Sequence, residues 1–213
     1  SYGHPLAKKY NLTDGYEDKN QLKGFIETHQ AMLKLNTIIT KTLNEEGILT
    51  IAIAPNNFLI TSNNEIKEIN TKVLSRYVEM DIIPVLYGDP VLDHMKGFTI
   101  LSGDQLAVVL AKKLRAKRIV FGADVDGVFT SDPKIDKDSK LIKVLNVNDF
   151  EEKISVKGAL STDVTGGMLS KIREASEAVK AGIEVILVNA NKEKRVEKAL
   201  TGKDVKGTKL VLS

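Results

Sequence analysis

The stretch DQLAVVLAKKLRAKRIVFG, Asp104 to Gly122, decides the class of this fold. Val109 and Leu110 follow Leu106 by three and four residues, which places the three on one face of a helix over Asp104 to Leu114. Arg118 to Phe121 then reads as a short buried strand closed by Gly122. The same succession of helix and strand stands upstream. From Asn20 to Glu46 the apolar positions Leu22, Phe25, Ile26, Met32, Leu33, Leu35, Ile39 and Leu43 recur mostly at three and four, and Gly47 closes that helix. Ile48 to Ala54 is a strand stopped by Pro55-Asn56-Asn57. Thr71 to Met80 is helical in pattern, and Ile82 to Tyr87 is a strand broken by Gly88-Asp89-Pro90.

Downstream, Thr130 to Asn148 is polar and reads as a surface excursion. Val164-Thr165-Gly166-Gly167 leads into a helix from Met168 to about Lys180, and Gly182 stops it. Ile183 to Val188 is a strand, Lys192 to Leu200 a short helix, and Thr208 to Leu212 a terminal strand. Strands written as continuous apolar runs are covered on both faces, so the expectation is an α/β fold: a three-layer α/β/α sandwich around a largely parallel central sheet. Ligands of such sheets gather at the carboxyl ends of the strands.

The 213 residues suit a single domain, and 42% apolar with 28% charged residues is the composition of an ordinary globular chain. No apolar run approaches the roughly 18 residues of a membrane span. The net charge of +3 is spread along the chain, and aromatics are 5% with no Trp, which speaks against a nucleic-acid partner. With no Cys, thiolate catalysis, disulfides and Cys-based zinc sites are excluded. The three His, at 4, 29 and 94, have no ligand spacing, and no protein-held metal is expected. Ser1-Tyr2-Gly3-His4-Pro5 has neither the basic nor the apolar region of a signal peptide, so a cytoplasmic protein is expected.

Four loops set Gly beside Asp, Ser or Thr: Gly88-Asp89, Ser102-Gly103-Asp104, Gly122 to Gly127, and Thr165 to Gly167. Gly lets a backbone approach a phosphate, and the N–H groups of a helix N-terminus attract anions. In Asp163-Val164-Thr165-Gly166-Gly167-Met168 the glycines open a helix on which Lys171 stands one turn further along, within reach of the same oxygens. The P-loop spacing is absent. Asp124-Val125-Asp126-Gly127-Val128-Phe129 could hold a ribose, a metal or nothing. It is not an EF-hand loop, because Ile135 stands at the closing twelfth position. Ser102 or Asp104 could equally be a helix cap.

Together these segments resemble the amino-acid kinase superfamily and, within it, the archaeal-type isopentenyl phosphate kinases. The resemblance runs through Gly3-His4-Pro5 with Lys8-Lys9-Tyr10, Tyr87-Gly88-Asp89, Ser102-Gly103-Asp104-Gln105, Asp124 to Phe129 with Asp132-Pro133, Asp163 to Met168 with Lys171, and Gly207-Thr208. Gly-His-Pro is its specific part. The family's opening strand, Lys-x-Gly-Gly-Ser turn and Gly-rich loop do not precede it, so the chain is expected to lack the N-terminal elements of a normal member.

The resemblance implies ATP-dependent phosphorylation of isopentenyl phosphate to isopentenyl diphosphate in isoprenoid biosynthesis by an alternative mevalonate route, with Mg²⁺ bridging ATP oxygens and a homodimeric assembly. It implies His4, Asp104 and Lys171 as catalytic residues and Gly3, His4, Gly88, Ser102 and Gly103 as acceptor-binding ones. Asp124, Val125, Asp126, Gly127, Phe129, Gly166, Gly167 and Lys171 would bind ATP. Phe25, Ile26, His29 and Met32 of the long helix would lie near the isopentenyl tail. The acceptor part would span about 1–100 and the nucleotide part about 101–213 of one domain. Another small phosphate or phosphonate such as fosfomycin, or a nucleotide-binding module without turnover, stays open as an alternative.

Overall fold

Asp18 opens the longest helix with a reciprocal cap: its carboxylate accepts from Asn20 N and Gln21 N, while the Gln21 amide oxygen accepts from the Asp18 N–H. In the computed structural model, which describes residues 2–150 and 166–212, this helix is α2 (Lys19–Glu45), preceded by the one-and-a-half-turn α1 (His4–Lys9). The chain divides into two compact units, residues 1–110 and 111–213.

The first unit contains β1 (Thr50–Ala52), β2 (Leu59–Ser62), β3 (Glu65–Ile69), α3 (Lys72–Glu79), β4 (Ile83–Val85), β5 (Pro90–Asp93) and β6 (Gly97–Ile100), and α4 (Gly103–Lys113) begins in it. β1 and β4 pair in parallel, Thr50 opposite Ile83. The second sheet has the order β3-β2-β5-β6, with antiparallel hairpins β2–β3 and β5–β6 joined by a parallel contact of β2 with β5. These hairpins occupy residues 59–69 and 90–100, which the helix-and-strand alternation passes over.

The buried face of α2 is Gln21, Gly24, Thr28, Asn36 and Thr40, whereas Leu22, Ile26, Leu33 and Ile39 are exposed. The expected apolar stripe is therefore split, with these four outward and Phe25 and Met32 turned to the protein, and polar stitching holds the inner face. Asn36 Nδ2 donates to the Val85 carbonyl at 2.9 Å, and Gln21 Nε2 to the Asn11 carbonyl at 3.2 Å. Gly24 is required where Tyr10 crosses, since a Cβ there would lie 2.3 Å from the ring's Cγ. Tyr10, Ala7, Leu12 and Phe98 form a small core joined by Phe25, whose ring centroid is 5.4 Å from that of Phe98.

The second unit has β7 (Arg118–Ala123), β8 (Val144–Asn146), α5 (Gly166–Lys180), β9 (Glu184–Asn189), α6 (Arg195–Leu200) and β10 (Gly207–Val211). Their sheet runs β7-β9-β10-β8, parallel at β7–β9 and β10–β8 and antiparallel at β9–β10. Ile172, Ala175, Ala178 and Val179 form the buried face of α5 at the three-and-four spacing of a sheet-covering helix. The class is α/β, as the sequence implies, and both four-stranded sheets are mixed. Arg118 ties β7 to its surroundings through Glu184, at 2.8 and 2.5 Å, and through the Ala199 carbonyl that ends α6, at 2.7 Å.

Asp93, at the end of β5, holds both hairpins. Its buried carboxylate accepts from Thr61 Oγ1 at 2.9 Å, Asn63 N at 3.1 Å, and Asn64 N, Met95 N and Lys96 N at 2.9 Å each. Burial alone would raise its pKa, but these donors outweigh it and hold the carboxyl well below the usual range. Its stabilisation is therefore present above about pH 4 and lost as the pH falls below that. Asp93→Asn, whose amide turns an NH₂ toward N–H donors, should lower stability by about 2–3 kcal/mol near neutral pH. The loss should shrink in acid. Urea midpoints at the two pH values check this, and an equal loss at both contradicts it.

Candidate functional site

In the first unit the residues expected to bind the acceptor meet at one cavity of about 460 Å³. Gly3, His4 and Ala7 of the first helix and its cap form one wall, Thr28 and Met32 of α2 another, and Gly88-Asp89-Pro90 with Ile100 to Asp104 the rest. Gly3, His4, Gly88, Ser102, Gly103 and Asp104, scattered over a hundred positions of sequence, are thus brought together. Gly3 is possible here because α1 lies against α2: a Cβ would meet Met32 Sδ at 3.0 Å. Gly88 is required more strictly, because a Cβ would sit 2.7 Å from the Leu101 carbonyl oxygen.

Ser102 is the cap of α4, its Oγ accepting from Asp104 N at 3.2 Å and Gln105 N at 3.5 Å. Asp104 stands in the first helical turn and lines the cavity. Of the four α2 residues expected near the acceptor's tail, Met32 lines the cavity, Phe25 belongs to the small core and Ile26 is 55% exposed. His29 is turned to Asp89, its Nδ1 lying 2.9 Å from Oδ2 and 3.2 Å from Oδ1. Thr28 replaces them at the wall, its buried hydroxyl without a hydrogen-bond partner.

In the second unit a smaller cavity of about 80 Å³ is lined by Asp124, Val125, Gly127, Val128, Phe129, Ser131 to Lys134 and Met168. Asp124 pairs with Lys134 Nζ at 2.6 Å, and this hydrogen bond keeps its carboxyl below the usual range. Asp126 turns away from the cavity to Lys206 Nζ at 2.6 Å, to the Arg195 guanidinium and to Asn189 Nδ2 at 3.3 Å. The Lys206 hydrogen bond leads in lowering its pKa, opposed by burial and reinforced by Arg195. Gly127 lies against Thr208, whose Oγ1 accepts from Val128 N at 2.8 Å and donates to the Ile142 carbonyl at 2.6 Å.

Gly166 and Gly167 begin α5, and among the described residues a Cβ on Gly167 would meet nothing within 4 Å. One turn on, Lys171 Nζ lies 4.9 Å from the centroid of the Phe121 ring. Asp163, Val164 and Thr165 lie outside the described residues. Among the described residues there is no group of three or more His, Cys, Asp or Glu able to hold a metal ion, and no helix is long and apolar enough to cross a membrane.

Residues 1–189 match the model of the amino acid kinase family. This chain belongs to that family. Within it the chain belongs with the isopentenyl phosphate kinases. It is 36% identical to the isopentenyl phosphate kinase of Methanothermobacter thermautotrophicus, over 99% of this chain and 80% of that protein. It is 35% identical to that of Methanocaldococcus jannaschii, over 100% of this chain and 78% of that protein. A solved structure of isopentenyl phosphate kinase superposes with a TM-score of 0.84 at 32% identity, over 99% of this chain and 80% of that one.

For an amino acid kinase family member the motif residues were legible and their partners were not. The His29–Asp89 pair, the Thr28 hydroxyl, and the Arg195 and Lys206 cations on Asp126 leave no local pattern in sequence. Only Asp89, beside Gly88 at a strand end, stood in a loop worth inspection.

Asp89 is the electrostatic oddity of the site. Its side chain is 0% exposed, and burial pushes its pKa up to about 6, with His29 pulling it back. The neighbouring Tyr87 hydroxyl is raised beyond its ordinary range, first by burial and then by the Asp89 charge. A carboxyl raised in the folded state favours folding below its unfolded pKa near 4, and that contribution is lost as the pH rises through about 6. Asp89→Asn, neutral throughout, should therefore gain on the unaltered protein between pH 4 and 7 by about 3 kcal/mol. Urea unfolding of both at several pH values measures the gap, and a gap independent of pH refutes the assignment.

Proposed function

We propose that this protein transfers the terminal phosphoryl group of ATP to isopentenyl phosphate, giving ADP and isopentenyl diphosphate for isoprenoid biosynthesis. The observation that carries this reading is the placing of His4 in the same cavity as Gly88 and Ser102-Gly103-Asp104, with Ala7, Met32, Pro90, Ile100 and Leu101 as apolar walls. A phosphate head with a short branched hydrocarbon matches that lining in chemistry. The kinship to isopentenyl phosphate kinases over essentially the whole chain points to the same acceptor.

On this reading the first unit holds the acceptor and the second the nucleotide. A phosphomonoester is largely a dianion at neutral pH, so it needs orientation and charge neutralisation more than a base. His4 holds the acceptor phosphate by a charge-assisted hydrogen bond, and Gly3, Gly88, Ser102 and Gly103 shape the cavity around it. Asp104 orients the cations of the site. Lys171 stabilises charge on the transferring group.

The open first turn of α5 at Gly167, with Lys171 one turn on, suits a polyphosphate, and the cavity beside Asp124, Val125 and Phe129 has room for part of a nucleotide. Gly127 and Asp126 keep that loop in place. ATP, bound with Mg²⁺, supplies the phosphoryl group. The resemblance carries with it a homodimer and a cytoplasmic location, the latter in keeping with a chain without Cys.

Steady-state kinetics on the full-length protein test the assignment. His4→Ala should lower kcat/KM for isopentenyl phosphate by at least about 10-fold while KM for ATP changes little, and His4→Gln should fall between it and the unaltered protein. Equal losses for both substrates would make His4 a turn residue only. Lys171→Ala should lower kcat by about 100-fold or more; an unchanged kcat removes Lys171 from the reaction. Preferred turnover of fosfomycin in the same coupled assay would reassign the acceptor, and nucleotide binding without ADP release would leave a binding module.

A further inference from the structure

The acceptor cavity carries more negative than positive charge. Among the described residues lining it are two carboxylates, Asp89 and Asp104, and one imidazole, His4, with neither Lys nor Arg. A phosphate group entering there comes close to the Asp89 carboxylate, which is buried within the wall. Repulsion between two anions in such a place is poorly screened. Among the described residues, Asp89 is paired with a group outside the lining, His29 on α2, whose Nδ1 lies within 3.2 Å of both carboxylate oxygens.

The hydrogen bonds around His29 fix which way that contact runs. Asn56 also reaches Nδ1, through Nδ2 at 3.3 Å, while its own Oδ1 is buried without a partner. With the amide turned end for end, the orphaned oxygen faces Nδ1 and the conflict of two donors disappears. Nδ1–H then donates to Asp89 and Asn56 together. The other titratable groups around Asp89 are Tyr87 on its own segment, His4 from α1 and Asp104 from α4. The residues that β6 and the 55–57 turn bring near it, Ile100, Leu101 and Asn56, are uncharged.

We propose that His29 is a positioning residue for the acceptor: by pairing with Asp89 it cancels a buried negative charge at the cavity wall and so lets a phosphorylated acceptor bind. The inference rests on the acceptor reading above. The raised pKa of Asp89 agrees with it, because a lone carboxylate in this place is disfavoured and protonation is the other route to neutrality. The pair acts through charge at the wall, not through contact with the reacting atoms, so its loss falls on acceptor binding.

The test compares the full-length protein with His29→Gln and with the double variant His29→Gln/Asp89→Asn, using ATP and isopentenyl phosphate at about pH 6 and about pH 8. His29→Gln keeps a donor but no charge. It should raise KM for isopentenyl phosphate about 10-fold or more at the higher pH, relative to the unaltered protein at that pH, and distinctly less at the lower pH, where Asp89 takes up a proton. KM for ATP should stay within about twofold, and the double variant should recover most of the acceptor affinity at the higher pH. An unchanged acceptor KM, a rise that is equal at both pH values, or no recovery in the double variant overturns the proposal.

If His29→Gln does not fold, the Asp89 carboxyl carbon resonance of the unaltered protein carries the test. Its titration should move upward by about half a pH unit or more on saturation with isopentenyl phosphate, and no movement is a refutation. Turnover by the unaltered protein separates the two levels. No ADP release with isopentenyl phosphate sinks the acceptor reading and this inference with it, whereas normal turnover with an unaffected His29→Gln sinks this inference alone.

Discussion

The first unit is organised by a contact that leaves no room for a side chain. The Leu101 carbonyl oxygen lies 2.7 Å from where a Cβ on residue 88 would be, and the next link is a hydrogen bond from Leu101 N to the Asp89 carbonyl at 2.8 Å. These continue the β5–β6 hairpin, Pro90 opposite Ile100, by one more step in each direction. The chain entering β5 and the chain leaving β6 toward α4 are thereby fixed side by side. Because they are, Gly88 and the Ser102 cap face one space, and the Asp89 side chain is driven inward. A buried carboxylate needs a partner, which fixes the position of His29 and hence of α2. The Gly24–Tyr10 crossing and the Gly3 approach to Met32 then seat α1.

Sequence periodicity served well where burial is one-sided and apolar. In the second unit, α5 buries Ile172, Ala175, Ala178 and Val179, and β9 buries Val185, Leu187 and Val188, so pattern and structure coincide. It served poorly in 59–69 and 90–100. There the hairpins are held by the polar hub of Asp93, and the β2–β3 turn uses Asn63 and Asn64 at positive φ, with no glycine to mark it. Five hydrogen bonds to one aspartate substitute for an apolar signal. A single Asp in a sequence does not announce them.

α2 shows the limit differently. Its period is correct, its extent is within a residue or two, and half of its apolar stripe is exposed, because the inward side is fastened largely by amide and hydroxyl groups to backbone carbonyls. A helical pattern identifies a stripe without saying whether the stripe is the inner one. The family motifs, by contrast, named six residues that the fold brings to one cavity. What surrounds those residues is set by tertiary contacts dozens of residues away, as Asp89 with His29 and Asp126 with Arg195 and Lys206 show.

The glycines of the candidate loops were read as room for a phosphate, and the structure divides them by use. Gly88 is taken up by the Leu101 carbonyl oxygen and Gly127 by Thr208, whose Oγ1 and N would lie 2.4 and 2.9 Å from a Cβ. In both cases Gly stands next to an Asp that binds a cationic or imidazole partner: Asp89 with His29, Asp126 with Lys206 and Arg195. The pairing of Gly with Asp is thus a fastening, in which the missing Cβ admits a neighbouring backbone and the carboxylate secures the loop. Gly167 differs, for among the described residues nothing fills the space beside it and no carboxylate adjoins it in α5. Composition alone makes these loops look alike. What distinguishes a glycine that receives a ligand from one that receives the protein's own chain is whether another element already fills its missing side chain, and that is decided by the tertiary fold.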